Sequence, residues 1–198
     1  DDIRPTDRIA VPQPGSIQHI LLAMAADQQF SDPNRFDKNL IALSHPDGYQ
    51  AMMVKKDVFL HFTTPPFLDR ELLEPGYQQL LSGEEILGQP FSFVVGACPV
   101  SFQKEQPALY QGFLRALDKT LVWMKEHPQE TVDILSERYN ITPDEAKAQL
   151  DQMQFDSVVR GVEPVRAFML RADFLQSGSN PNGSEDPVAL YFDGVIHE

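Results

Sequence analysis

The amino-acid sequence predicts an α/β fold with a parallel sheet in its first third. The prediction rests on three short apolar runs of strand length, helix-period patterns between them, and clusters of Pro, Gly, Asp and Asn at the junctions. Arg8-Ile9-Ala10-Val11-Pro12 reads as a short buried strand. Pro14-Gly15-Ser16 breaks it, and a helix is expected from Ser16 or Ile17 to about Gln29. Ser16 suits its N-cap, and Ile17, Ile20, Leu21, Met24 and Ala25 form its apolar stripe. Asn39 to Ser44 is the second strand, and Pro46-Asp47 is expected to cap a second helix from Gly48 to Lys56. Val58 to Phe62 is the third strand, stopped by Thr63-Thr64-Pro65-Pro66. Strands separated by helices in this way make a βαβαβ unit. Right-handed crossovers then gather the loops at the C-terminal edge of the sheet, where α/β proteins usually bind ligands.

The rest of the chain changes character. Leu80-Leu81-Ser82-Gly83-Glu84-Glu85 reads as a turn-rich connection, and Phe91 to Cys98, dense in β formers, as a longer strand. Pro107 to Lys125 is an amphipathic helix with Leu109, Phe113, Leu117 and Leu121 on one face, and Pro128 to Tyr139 is another helix. Thr142-Pro143-Asp144-Glu145 is a capping-box start for a helix to about Gln152. A last helix is expected over roughly Glu163 to Leu175, and Gln176 to Pro187, rich in Ser, Gly, Asn and Pro, as a flexible loop. Residues 1–100 are thus the α/β part and 101–198 the mainly helical part.

Composition narrows the function. A hydrophobic content of 42% fits a folded chain, and the net charge of −13 leaves no excess of Lys and Arg to replace phosphate counterions. Nucleic acid is therefore not an expected partner, and docking on anionic lipid is disfavoured. The longest apolar run, Ile20 to Ala26, is too short to cross a membrane. Cys98 is the only cysteine, which excludes an intramolecular disulfide and zinc sites built on cysteines. Asp1-Asp2-Ile3-Arg4 carries neither an initiator Met nor a secretory signal, which is compatible with a leader upstream.

Two places could carry chemistry. At Gly15-Ser16-Ile17-Gln18-His19 a helix begins, where free backbone N–H groups and the positive end of the helix dipole favour an anion. Gly15 permits close approach, and Ser16 and Gln18 add side-chain donors; the same residues also suit a capped helix without a ligand. Thr63 and Thr64 leave the third strand at its C-terminal end and are candidate ligand contacts, though an ordinary strand exit explains them as well. Of the histidines, His19, His45, His61, His127 and His197, none has zinc-protease spacing; His19 and His61 could meet near one sheet edge. No Gly-x-Ser-x-Gly elbow, Walker loop or dinucleotide loop is present. No catalytic residue, metal site or cofactor is expected, and no hydrolase or transferase turnover.

Read in succession, several segments resemble the nitrate, sulfonate and taurine branch of solute-binding proteins, which also includes binders of thiamine-pyrimidine precursors. They are Arg8 to Pro12 with Gly15 to Leu22, His45-Pro46-Asp47-Gly48-Tyr49-Gln50-Ala51-Met52-Met53, Val58 to Leu68, Phe91 to Ala97, and Tyr110 to Leu117. The resemblance runs in order from about Arg8 to Leu175. It implies a type II periplasmic-binding-protein fold of two α/β lobes, with residues 1–100 as most of the second lobe and the helices after Pro107 rejoining the first. The family's founding βαβ region would precede Asp1, leaving a one-sided cleft that binds anions weakly and unselectively.

The resemblance further implies a monomeric, periplasmic or lipid-anchored receptor that hands a small anionic or zwitterionic solute to an ABC permease. Gly15, Ser16, Ile17, Gln18, His19, Thr63 and Thr64 would contact the ligand. Thr64 and Pro65 stand where sulfonate binders often carry an aromatic and an acidic residue, so nitrate, a carboxylate or a pyrimidine precursor stay open beside a sulfonate. A ligand-sensing domain of a regulator is the alternative. The cysteine-rich motif of the related pyrimidine-forming enzymes is absent.

Overall fold

A computed structural model describes residues 3–55, 58–153 and 159–175. The expected loop over Gln176–Pro187 lies outside the described residues. Strands β1 (Arg8–Val11), β2 (Leu40–Ala42) and β3 (Val58–His61) form one parallel sheet in the order β2-β1-β3. Ile9, Ala10 and Val11 pair with Leu40, Ile41 and Ala42, while Ile9 and Ala10 pair with Leu60 and His61 on the other side. The expected mixed α/β character and the parallel pairing are both present. β1 is the central strand, and Ile9, Ala10 and Val11 are exposed by 2% or less, which is why its sequence is apolar without alternation.

Helix α1 (Ile17–Phe30) follows β1, and α2 (His45–Val54) follows β2. Ser16 caps α1 by accepting the His19 N–H, and Ser31 ends it in the left-handed region. Ile20, Leu21, Met24 and Ala25 of the expected stripe are buried in a cluster with Ile86 and Phe168, and Ile17 packs against it partly buried. A second cluster joins Ala10, Met52 and Val58, with Tyr77 and Ile41 at its border.

α2 begins one turn before the expected Gly48. Ser44, not Pro46-Asp47, is the N-cap, because its hydroxyl accepts the Asp47 N–H, and Pro46 is tolerated in a first turn whose N–H groups need no helical partner. His45 therefore belongs to the helix start. Lys55, left-handed at φ 54°, closes α2 earlier than expected.

Three further helices were not legible as such. α3 (Phe67–Leu73) follows the Pro65-Pro66 pair, α4 (Gly83–Leu87) lies in the stretch read as a turn-rich connection, and α5 is Val100–Glu105. α4 carries a complete capping box, with the Ser82 side chain accepting from the Glu85 N–H and the Glu85 carboxylate accepting from the Ser82 N–H.

The expected strand over Phe91–Cys98 does not form. Phe91 packs on the α1 cluster and Ser92 exchanges hydrogen bonds with Arg160, but Val94 and Val95 are exposed and meet no ladder partner. β-propensity without a neighbouring strand leaves the segment irregular.

The helices α6 (Pro107–Glu126), α7 (Pro128–Tyr139), α8 (Pro143–Gln152) and α9 (Val162–Arg171) lie close to the expected bounds, although α9 stops before Leu175. By contacts the described chain divides into two units. One holds the residues up to Phe93 and again from Arg160, including the sheet, α1 to α4 and α9; Arg171 of α9 pairs with Asp27 of α1 at 2.6 Å. The other holds α5 to α8, where Val132 and Ala146 are buried and the Thr131 hydroxyl donates to the His127 carbonyl at 2.9 Å. α6 buries none of its residues, and Leu109 and Phe113 of its apolar face are exposed.

The α1 cluster is where the sheet unit depends most on packing. Leu21→Ala should lower unfolding stability by about 2–5 kcal/mol, the range for a buried Leu truncated in a close-packed core. Denaturant titration checks it, and a loss below about 1 kcal/mol contradicts the cluster's role.

Candidate functional site

The parallel ladder continues past the strands. The Leu43 N–H donates to the Val11 carbonyl and the Phe62 N–H to the Ala10 carbonyl, each at 2.9 Å. These bonds hold the exits of β2 and β3 beside the exit of β1. Gln18 from the first turn of α1, His45 at the start of α2 and Thr63 after β3 therefore meet. The His45 ring bridges the other two: Nδ1 lies 2.9 Å from Thr63 Oγ1, and Nε2 lies 3.4 Å from Gln18 Nε2. Phe67 of α3 stacks nearly parallel to this ring, at 17° and 6.3 Å between centroids.

An amide nitrogen only donates, so the Gln18 contact requires a bare Nε2 on His45. Its ring hydrogen is then on Nδ1, donated to the Thr63 hydroxyl oxygen. The electrostatics agree. Burial, reinforced by the charge of His61, pushes the His45 pKa below its ordinary value, while Glu71 opposes the shift. His45 is thereby held neutral.

Beneath it lies a second, fully enclosed pair. His61 Nδ1 is 2.7 Å from Glu71 Oε1, with side-chain exposures of 0% and 7%. The other ring nitrogen of His61 is buried with no hydrogen-bond partner among the described residues, packed against Gly48. A Cβ on Gly48 would lie 2.4 Å from that nitrogen, so only glycine lets α2 sit this close to the ring. His45 and His61 are 5.9 Å apart by ring centroid.

The structure sorts the expected ligand residues. Gln18 and Thr63 come together through His45. The N–H groups of Ile17 and Gln18 are first-turn donors without an intrahelical acceptor, although the Ile17 side chain itself packs on the core. Ser16 is engaged as the cap. Gly15, at φ 78°, makes the turn that only glycine adopts readily, and its N–H donates to His19 Nδ1 at 2.9 Å. His19 is buried between that donor, Asp37 at 3.4 Å and the edge of Phe174, and so fastens the β1–α1 loop. Thr64 accepts the N–H groups of Phe67 and Leu68 with its carbonyl and starts α3. His61 meets His45 and Glu71, while His19 keeps its own partners.

His45 and the His61–Glu71 pair are the residues missed by sequence reasoning. The signal for His45 was Ser44 three residues before Asp47, an N-cap pattern that puts residue 45 on the first turn of a helix at a strand exit. No local signal links Glu71 to His61. No group of three or more His, Cys, Asp or Glu side chains among the described residues is placed to hold a metal ion.

No protein-family profile, curated protein or solved structure matches this chain. The chemistry of the site therefore carries the functional reading. No described helix is long and apolar enough to cross a membrane.

A neutral, desolvated His45 has a signed consequence. Its folded pKa lies below the ordinary 6.5, so between the folded value and 6.5 the unfolded chain binds the extra proton. Its contribution to stability is full above that window and is lost as pH falls through it. Chemical denaturation across mildly acidic pH should show a steeper loss for the wild type than for His45→Asn. Parallel curves would show that His45 does not resist protonation.

Proposed function

We propose that this chain is a ligand-binding module for a small anionic or zwitterionic solute, the substrate-binding component of an ABC importer. In this reading it is part of a type II periplasmic-binding-protein fold, working in the periplasm or anchored outside the membrane and docking on a permease. The observation that carries the binding reading is the Gln18–His45–Thr63 bridge at the C-terminal edge of a parallel sheet. That edge is where open α/β sheets gather their loops and take ligands. The transport assignment comes from the order of sequence segments resembling the nitrate, sulfonate and taurine branch of solute-binding proteins.

The donors suit an anion. The first-turn N–H groups of α1 and the side chains of Gln18 and Thr63 are all uncharged hydrogen-bond partners that suit lone pairs. The site binds and releases rather than reacts. Thr63 is the one hydroxyl on the bridge, and the ring nitrogen facing it carries the hydrogen, so His45 has no lone pair there with which to take the Thr63 proton.

Calorimetry on the 198-residue chain with nitrate, taurine, methanesulfonate and a hydroxymethylpyrimidine tests the reading. Binding of one of these should weaken by roughly 10- to 150-fold in Thr63→Val, the range for losing one hydrogen bond to a charged group. Binding that is unchanged by both Thr63→Val and Gln18→Ala would remove the ligand from this edge.

A further inference from the structure

We infer that His45 is a positioning residue that fixes the direction in which Thr63 and Gln18 offer their hydrogens, so that the edge favours a group with lone pairs. The inference rests on the binding reading above and specifies how that site selects.

The geometry is a chain of one-way hydrogen bonds. Gln18 donates one amide hydrogen to His45 Nε2, and His45 donates its Nδ1 hydrogen to Thr63 Oγ1. A hydroxyl has a single hydrogen, and Thr63 receives one from the ring, so its own must go to a different acceptor. Gln18 likewise keeps a second amide hydrogen. Both residues then present hydrogens, together with the Ile17 and Gln18 backbone N–H groups of the same first turn. Left without His45, the Thr63 hydroxyl would rotate and could accept or donate equally well, and the edge would lose its preference.

A rigid ring suits this task because its two nitrogens face opposite ways and span residues from different strand exits. The surroundings hold it there. Phe67 stacks against one face of the ring. The groups around it are Gln18 from α1, His61 and Thr63 from β3 and its exit, and Phe67 and Glu71 from α3. On its own helix Asp47 is tied to Ser44. The His61–Glu71 pair beneath is tied through His61 Nδ1 at 2.7 Å and enclosed, which holds the neighbouring ring of His61 in place.

Nuclear magnetic resonance on the full chain labelled with ¹⁵N-histidine tests this, with His45→Asn used to assign the His45 signals. Long-range proton–nitrogen correlations at neutral pH should show His45 as the neutral tautomer with its hydrogen on Nδ1. The Nε2–H tautomer, or a charged ring at neutral pH, overturns the inference even if ligands bind. Titration with sodium nitrate against sodium chloride at equal ionic strength gives the second readout. The nitrate response of Thr63 and of the Gln18 side-chain amide should weaken about tenfold in His45→Ala, the size of one lost hydrogen bond. It should largely recover in His45→Asn, whose amide can still donate toward Thr63. Equal loss in the two variants overturns the positioning role. If the wild type has the expected tautomer and neither nitrate nor methanesulfonate perturbs these residues, the anion-binding reading itself fails, together with the selectivity inferred from it.

Discussion

Everything at this site depends on both neighbours of β1 pairing with it in parallel. Antiparallel pairing of either would send its exit to the opposite edge, and His45 or Thr63 would lie a strand length from Gln18. Parallel pairing also leaves β1 with a strand on each side, matching its uninterrupted Ile9-Ala10-Val11. The composition of one strand and the meeting of three polar side chains thus have a single cause. The start of the sheet is fastened separately. Asn39 donates to the carbonyls of Arg4 and Asp7, at 2.9 and 2.8 Å, tying the chain before β1 to the chain before β2. Arg4 holds the Asp7 carboxyl below the usual carboxylate range through the same corner.

The two histidine environments divide the work. His61 and Glu71 form a dry internal pair that α2 can cover only because residue 48 is glycine. His45 sits above that pair, partly exposed, with a hydrogen-bond partner at each nitrogen. Burial and the neighbouring His61 charge push it toward the neutral form, which is the form its partners require. Hydrogen-bond direction and electrostatics therefore select the same protonation state. His19 has the contrasting role: it too lies in the first turn of a helix, but it is buried, and its ring closes onto Gly15 and Asp37 and holds the loop.

Much of this was legible in the sequence where the causes are local. Strand runs, the Ser16 cap and the Thr142 capping box are set by residues within a few positions of one another. Gln18 and Thr63 were readable as edge residues because topology alone sends them there. The strand expected over Phe91–Cys98 failed for the opposite reason, since a strand needs a partner that no local pattern supplies. The start of α2 was misplaced because Pro46-Asp47 and Ser44 are both plausible N-terminal signals, and the hydroxyl of Ser44 wins the Asp47 N–H. The pairing of His61 with Glu71 depends on how α3 packs back onto β3, which is tertiary information. His45 was visible as a histidine but not as a bridge, because its two partners come from different strand exits.

The most direct measurement is a double-mutant cycle on unfolding stability between Gln18→Ala and Thr63→Val, run with His45 present and again in His45→Ala. Neither partner is expected to touch the other, so any coupling must pass through the ring. With His45 in place the two substitutions should be non-additive by at least about 0.5 kcal/mol, and in His45→Ala they should become additive to within about 0.3 kcal/mol. Additive effects in the wild-type background, or the same coupling after His45 is removed, would show that the three strand exits are not joined by this histidine.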